Sequence, residues 1–537
     1  MKRVRVAGIV LILALSASCG QEQTRTQAAT AVAEPPGEVE LWRQFQAEYV
    51  NTSWRGNPFD LEFTGEFTHV ETGRMLKQFG FYAGGDRWKI HFMPDRVGEW
   101  MFTTRSTDRD LDGYAGSFTA LPSDLPGMLE TDGIRWRLSA YGPIMPILLA
   151  AGPFVRTDPI AQTQSFVDWA RDTAGARIIG TTLLHFDGDS PRTLSQADRM
   201  YEDDAEGERF HLPAWDRMDE FHDALRDRGM GQYILIYGDD ESAPEWRGLP
   251  EGRRGSIGRA EQRLFRYLVA RFGAYPIVMW DSGIDIGEYR SPGWIENFAE
   301  WFRANDPWQH PVASRTGSGS GGVHPQSATY YSDGERTLPS RSELLEKVTS
   351  RTVPTAMTDR YRENYPSPFN GGRAEVRRAA WQMLLSYGTA VYISGNEHEG
   401  YLGRDYASDL EAAPDLGRVT RFAEQHLVNA GALSPADELV LSAEGEVMVA
   451  RAGGEEYVAC VFSGRTLTVD LAGSSGALNV AWYDPLGGEH VMAGTVTGGT
   501  SIEFTIPGSN AGETTEWVLH LSAVEPGGSS ASDPQSR

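Results

Sequence analysis

Cysteine is nearly absent from this sequence, whose 537 residues include only two, Cys19 and Cys460. The amino-terminal segment that carries Cys19 is predicted to be processed, so Cys460 has no free partner for a structural disulfide. Two cysteines this far apart also exclude a cysteine-based zinc site. Cys460 lies in the apolar run EYVACVF, and we expect it to be a small buried hydrophobe.

Excess positive charge is missing as well. The formal net charge is −25 and the sequence pI is near 4.9, which disfavours nucleic acid as a partner. No glycine-rich phosphate or dinucleotide loop follows a predicted strand, because the GSGSGG segment at 317–322 lacks both the lysine and the strand-to-helix context. We therefore expect no cofactor.

Long apolar runs are confined to the amino terminus. Lys2, Arg3 and Arg5 precede an apolar run at 6–15, which is too short to span a bilayer and indicates a secretory signal. The small residues before Cys19 resemble a bacterial lipobox. We expect the protein to be exported and attached through a lipid on Cys19 to the bacterial envelope, in the periplasm or at the cell surface.

The remaining chain is long enough for several domains and changes its pattern twice. Short alternating strands such as RWKIHFMP predict antiparallel β-sandwiches near both ends, and strands alternating with amphipathic helices fill the middle. The predicted parts are a signal peptide (1–19), a disordered tether (20–38), an amino-terminal β-sandwich (39–124), a barrel (125–432), a carboxy-terminal β-sandwich (433–523) and a disordered tail (524–537).

The middle region predicts eight parallel strands. They are PIMPILLA, RIIGTTLLHF, GQYILIYG, PIVMW, PVASRT, ATYYSD, VPTAMT and GTAVYIS, with helices such as RAEQRLFRYLVARFG between several of them. Strict alternation of strand and helix over this length favours a (β/α)8 TIM barrel over a doubly wound sheet. The predicted fold class is therefore α/β, a TIM barrel flanked by two antiparallel β-sandwiches.

Two predicted strands run directly into carboxylates. PIVMWDSGIDIGEY contains Asp285, and VPTAMTDRYREN contains Asp359. Such residues would lie at the carboxyl edge of the barrel, where TIM barrels place their active sites. A pair of carboxyl groups there, one protonated and one ionised, is the equipment for cleaving a glycosidic bond. A helix cap for Asp285 and a structural salt bridge to an arginine for Asp359 are the alternatives.

The order of the parts, together with NPFDLEF, GFYAGGDRWKIHFMP and GEWMFTTRS, resembles bacterial glycoside hydrolases in which a small β-sandwich precedes the barrel. The barrel itself resembles the apiosidase-like glycoside hydrolases. That family has Trp-x-x-Gly-Gly-Asp after strand four, which here corresponds to 280–285, so the resemblance implies Asp285 as acid/base. After strand seven the spacing from Pro354 implies Asp359 as the nucleophile. Ile284 replaces a glycine, and Asp359 replaces a glutamate.

Polar side chains after the predicted strands would line a sugar pocket, because sugar hydroxyls need hydrogen-bond partners and sugar rings stack on aromatic faces. The predicted substrate-binding residues are His185, Asp187, Asp239, Trp280, Glu288, Arg315, Tyr331, Arg360, Glu363 and Glu397.

Some of these residues have a second candidate role. Glu288 and Glu363 are alternative catalytic carboxylates, and Glu397 becomes one if the strand count is wrong. The hydrophobic strand end beside Trp280 would keep Asp285 protonated, and Arg360 with Arg362 would keep Asp359 ionised. The spacing of the acidic and histidine residues matches no defined calcium loop, so no metal site is predicted.

The predicted function is hydrolysis of a plant or algal polysaccharide, or of its oligosaccharides, by an acid/base (Asp285) and a nucleophile (Asp359). Two other functions stay open. The departures at Ile284 and Asp359 also fit a carbohydrate-binding surface lipoprotein without catalysis. A polysaccharide lyase acting on uronates would use Tyr331 or His185 as base. The expected partners are the polysaccharide and, through the lipid anchor, a membrane.

Overall fold

The computed structural model describes residues 35–184, 200–202, 208–238, 256–315, 324–334, 339–364, 371–395 and 401–524, without the side chains of Glu288 and Arg360. Outside these ranges lie His185, Asp187, Asp239, Glu397 and Cys19. The described chain forms an amino-terminal antiparallel β unit, a parallel eight-stranded barrel with helices around it, and a carboxy-terminal antiparallel β unit.

The amino-terminal unit is a seven-stranded sheet in the order β1-β7-β6-β3-β4-β5-β2, antiparallel except for the β1–β7 pair. It folds over on itself, since the Phe45 ring of β2 stacks on the Phe118 ring of β7 with centroids 4.4 Å apart. Its strands are β1 (Glu38–Glu40), β2 (Phe45–Val50), β3 (Phe63–His69), β4 (Met75–Gly84), β5 (Arg87–Phe92), β6 (Gly98–Ser106) and β7 (Ala115–Leu121).

A three-stranded antiparallel sheet that the sequence analysis did not predict lies between this unit and the barrel. It consists of β8 (Leu129–Asp132), β9 (Arg135–Leu138) and β10 (Gly142–Ile144). Trp136 is fully buried, and its Nε1 donates to the carbonyl of Thr355, 3.2 Å away at the start of a barrel strand. The small sheet therefore closes the amino end of the barrel and leaves the carboxyl edge for the site.

Each of the eight predicted barrel segments overlaps one parallel strand, although β14 and β17 extend beyond their predicted ends. The strands are β11 (Ile147–Ala150), β12 (Ile178–Leu184), β13 (Gly231–Tyr237), β14 (Val278–Gly283), β15 (Val312–Ala313), β16 (Tyr331–Asp333), β17 (Thr355–Arg362) and β18 (Ala390–Ser394). They pair in the order β15-β14-β13-β12-β11-β18-β17-β16. Thr329 nearly closes the ring between β15 and β16, because its amide donates to the Val312 carbonyl at 2.9 Å and its Oγ1 accepts from the Val312 amide at 2.9 Å.

Helices with one apolar face surround the barrel. Local sequence fixes where several begin: Ser291 accepts from the Trp294 amide ahead of Pro292, and Ser340 forms a capping box with Glu343. The helices are α1 (Phe154–Thr157), α2 (Ile160–Asp172), α3 (Leu212–Asp227), α4 (Arg259–Phe272), α5 (Pro292–Asn305), α6 (Arg341–Thr349), α7 (Arg373–Leu384), α8 (Tyr406–Asp409) and α9 (Ala413–Gln425). Short 3₁₀ turns occupy Pro58–Asp60, Ile286–Glu288, Ala430–Ala432 and Asp437–Leu439.

The carboxy-terminal unit has two facing sheets, β19-β21-β22-β27-β24-β25 and β20-β23-β26, with an apolar core between them. Cys460 is buried in β22, as expected. The strands are β19 (Ser434–Pro435), β20 (Val440–Ala443), β21 (Val447–Ala452), β22 (Glu456–Val461), β23 (Thr466–Asp470), β24 (Ala477–Tyr483), β25 (His490–Thr497), β26 (Ser501–Thr505) and β27 (Trp517–Ala523).

Candidate active site

The carboxyl ends of β14, β15 and β17 bring a buried arginine and carboxylates together. Nη2 of Arg315, just after β15, lies 3.0 Å from Oδ1 of Asp359 in β17, and both side chains are almost completely buried. Burial alone would lower the pKa of Arg315, but the charge of Asp359, followed by Tyr233, Asp285 and Asp281, raises it above its ordinary value. Arg315 is therefore a permanent cation beside Asp359.

A bulge in β17 places Asp359. Met357 pairs with Val391 and Tyr361 with Ile393, so four residue steps on β17 match two on β18. Bulges re-aim side chains and are common beside active sites. Thr358 anchors the bulge, since its Oγ1 is 2.8 Å from Oγ of Ser332 and 3.0 Å from the Asp333 carbonyl.

Asp281 is a fully buried hydrogen-bond hub inside the barrel. It accepts from Tyr233 Oη at 2.9 Å, Ser332 Oγ at 2.8 Å and Tyr330 Oη at 3.3 Å, and from the amides of Gly283 and Arg315 at 3.1 Å each. Burial raises the pKa of Asp281 to about 6 despite these donors. With its oxygens occupied by five donors, Asp281 positions β15 and β16 rather than transferring protons.

Asp285 stands at the start of the 3₁₀ turn Ile286–Glu288. Its backbone is left-handed, with φ of 48°, and its side chain does not cap the turn. Non-glycine residues in this conformation are strained, and such strain gathers at functional sites. The side chain is half-buried and acts electrostatically on Arg315, which connects it to the Arg315–Asp359 pair.

Glu363 is buried immediately after β17 but contacts a different element. Its Oε2 accepts from the Ala412 amide at 2.9 Å, next to α9. Burial raises the pKa of Glu363, the Ala412 amide lowers it, and Glu411 raises it further. Through this hydrogen bond Glu363 connects the end of β17 to the start of α9.

Two predicted sugar contacts lie elsewhere. Trp280 packs against Phe302 of α5, and its Nε1 donates to Asp306 Oδ2 at 2.9 Å. The ring of Tyr331 faces Arg351 and His324. Side chains alternate along a strand, so an inward Asp281 sends Trp280 outward, where it is fully buried and offers no face to a sugar.

A source of positive charge beside Asp359 that was not predicted is Arg315, from the neighbouring region of the barrel, which makes an ion pair with it. The predicted role of Arg360 and Arg362 in keeping Asp359 ionised stays a prediction, because the side chain of Arg360 is not among those that the structure describes. The importance of Asp281 was missed too, although a carboxylate inside the apolar strand VMWDSG was a visible signal.

The described residues contain no group of three or more histidine, cysteine or carboxylate side chains arranged to hold a metal ion. In the same part of the chain, no helix is both long and apolar enough to cross a bilayer.

Two known families match parts of the chain, both outside the barrel. Residues 38–107 match a family described as "Domain of unknown function (DUF5060)", and residues 435–522 match one described as "Putative collagen-binding domain of a collagenase". No protein of curated function matches the chain.

Three solved structures are similar over most of the chain. A "putative glycoside hydrolase" from Bacteroides vulgatus is 15% identical, with a TM-score of 0.70 over 91% of this chain and 100% of that one. A family 5 glycoside hydrolase from the same organism is 15% identical, with a TM-score of 0.57 over 74% of this chain and 94% of that one. A third, described as a glycoside hydrolase, is 13% identical, with a TM-score of 0.57 over 75% and 98%.

The class that these findings define is a glycoside hydrolase-like fold, an α/β barrel with additional antiparallel β units. At this identity the similarity shows the fold alone. It does not single out the apiosidase-like family that the sequence resembles.

Proposed function

We propose that this protein is a glycoside hydrolase that cleaves a plant or algal polysaccharide or its oligosaccharides. The observation that carries the proposal is the buried Arg315–Asp359 pair at the carboxyl edge of the barrel, with Asp285 acting on the same guanidinium. The glycoside hydrolase-like fold supports it. As part of the same proposal, we assign the architecture as a TIM barrel between two β-sandwiches.

In the proposed mechanism, Asp359 is the nucleophile and Asp285 the general acid/base. The permanent charge of Arg315 favours the carboxylate form of Asp359, which a nucleophile requires. Asp285 is half-buried and makes no capping bond, so its side chain is available to protonate the leaving oxygen. No cofactor takes part in this scheme.

The test is release of reducing sugars by the full mature chain from neutral, uronic and sulfated polysaccharides. Asp285→Asn and Asp359→Asn should each lower turnover by roughly 10²–10⁴-fold, the usual contribution of a positioned acid or base. Asp333→Asn is the matched control, because Asp333 also ends a barrel strand but pairs with Lys347 of α6. Near-wild-type turnover by a folded Asp285→Asn or Asp359→Asn variant would refute the assignment.

A carbohydrate-binding protein without catalysis is the second candidate. The observation that favours it is again the Arg315–Asp359 pair, because a closed ion pair can also be purely structural. Glycan retained by the wild type without any product would support this function. An unsaturated product would instead indicate a lyase.

We also propose that the protein is lipid-anchored through Cys19, which precedes the described residues. Wild type should fractionate with membranes and be released by detergent, whereas Cys19→Ala should be found in the soluble fraction. Equal membrane association of the two proteins would contradict the anchor.

A further inference from the structure

A second cleft lies between the amino-terminal β unit and the barrel helices α4 and α5. Its volume is about 340 Å³, and β4 forms one wall. Asn305, the last residue of α5, also lines it. Because α5 runs from the carboxyl edge of the barrel back towards the amino edge, the cleft is separate from the Arg315–Asp359 site.

Two aromatic rings line this cleft from opposite parts of the molecule. Phe79 belongs to β4 and Trp301 to α5, and their rings are 13° from parallel with centroids 6.4 Å apart. Both side chains are half-buried, so part of each ring is exposed. Aromatic faces of this kind bind the apolar faces of sugar rings.

Arg266 of α4 supplies a positive charge without a close ion pair in the same cleft. Burial lowers its pKa, while the charges of Glu62 and Asp60 raise it. Among the described residues no carboxylate lies within 4.0 Å of Arg266, whereas Arg263 and Arg259 on the same helix are paired with Asp60 at 2.7 and 2.8 Å. A partly desolvated guanidinium that no carboxylate contacts directly favours an anionic ligand.

The other charged residues that line the cleft also favour an anionic ligand. Lys77 is exposed and lines the cleft with Arg266, while Glu62 is the one acidic side chain among the described lining residues. This local excess of positive charge occurs in a chain whose formal net charge is −25.

We propose that this cleft is a second binding site, for an acidic oligosaccharide. A carboxylate or sulfate group binds Arg266, and a neighbouring sugar ring rests on Phe79 and Trp301. The choice of a saccharide rests on the proposed function, whereas the requirement for an anion follows from Arg266 and Lys77.

Titration calorimetry on the full mature chain tests the proposal with three probes: a galacturonic acid trimer, a sulfated galactose oligomer and a neutral galactose oligomer. The two acidic probes distinguish carboxylate from sulfate. Arg266→Gln should weaken binding of the acidic probe at least about tenfold, the value of one charge-assisted contact. Arg303→Gln, an exposed arginine on α5 outside the lining, should bind as wild type does.

Lys77→Gln is a second variant. Because Lys77 is exposed, this change should leave folding intact. It should weaken binding by a smaller factor, and added salt should weaken the wild type. Equal affinities of wild type and Arg266→Gln, or no binding of either acidic probe at millimolar concentration, would overturn the site.

Reducing-sugar release by the same variants separates the two proposals. Arg266→Gln should keep wild-type turnover of a short soluble substrate, and loss of both binding and turnover would mean that the probe occupies the active site instead. A wild type that binds the acidic probe through Arg266 but hydrolyses nothing would contradict the proposed function and leave the second site standing.

Discussion

At the scale of single residues, Arg315 decides between a chemical and a structural role for Asp359. Its guanidinium is buried and directed at Asp359, so geometry as well as charge matters. Arg315→Lys keeps the charge but loses the planar fork. We expect turnover per folded molecule to fall at least about tenfold, with the acid limb of the pH–rate profile moving to higher pH.

A purely structural role of the Arg315–Asp359 pair predicts a different effect of Arg315→Lys. The midpoint of chemical unfolding would fall while turnover per folded molecule and its pH profile stayed as in the wild type. Measuring both quantities on the same preparation distinguishes the two roles.

Asp281 carries the second prediction at this scale. Asp281→Ala removes the acceptor of Tyr233 Oη and of the Gly283 and Arg315 amides, whereas Ser332 and Tyr330 keep Thr358 and the Trp280 carbonyl as other acceptors. A buried donor left without an acceptor costs about 1–3 kcal/mol, so we expect the free energy of unfolding to fall by at least about 3 kcal/mol. Tyr233→Phe removes a single donor and should cost about 1–2 kcal/mol. Equal stability of the two variants in a denaturant titration would contradict the role of Asp281 as the shared acceptor of several buried donors.

At the scale of elements, the weakest junction of the barrel is the gap between β15 and β16. No β ladder joins these two strands in the described structure, and Thr329 bonds Val312 instead. Asp281 adds a second connection, because it accepts from the Arg315 amide after β15 and from Ser332 in β16.

Thr329→Val tests this junction. The change keeps the shape but removes the acceptor of the Val312 amide, and we expect a loss of about 1–2 kcal/mol. Thr495→Val on the exposed strand β25 is the matched control and should change stability little. Hydrogen exchange at the Val312 amide should quicken in Thr329→Val, and unchanged exchange would contradict its role in closure.

At the scale of the whole molecule, a row of histidines connects the barrel to the carboxy-terminal unit. The His426 ring, just after α9, stacks on His490 with centroids 4.0 Å apart, and His490 Nε2 is 3.3 Å from His520 Nδ1. His520 Nε2 lies 3.0 Å from Glu456, which also accepts from the amides of Val428 and Asn429. Burial alone would raise the pKa of Glu456, but these bonds lower it.

This row predicts sensitivity to acid. Burial, followed by the charges of His426 and His520, lowers the pKa of His490 to about 4, below the value of about 6.5 expected when unfolded. The unfolded chain therefore binds more protons between these values. The contribution of His490 is complete above about pH 6.5 and is lost as the pH falls towards 4.

His490→Gln should accordingly lose less stability than wild type between pH 7 and pH 4, as measured by thermal unfolding. His211→Gln, at the start of α3 and remote from the junction, is the control. A slope for His490→Gln as steep as that of the wild type would contradict this account.

The sequence by itself determined the eight barrel strands and the flanking antiparallel units, because hydrophobic periodicity is a local signal. It also placed Asp285, Asp359 and Arg315 at strand ends. Only the tertiary structure decided that Arg315 pairs with Asp359, that Asp281 is a hub, and that Trp280 faces α5. The physical reason is that a bulge, strand order and side-chain direction set which distant residues meet, and none of these is encoded in chain spacing alone.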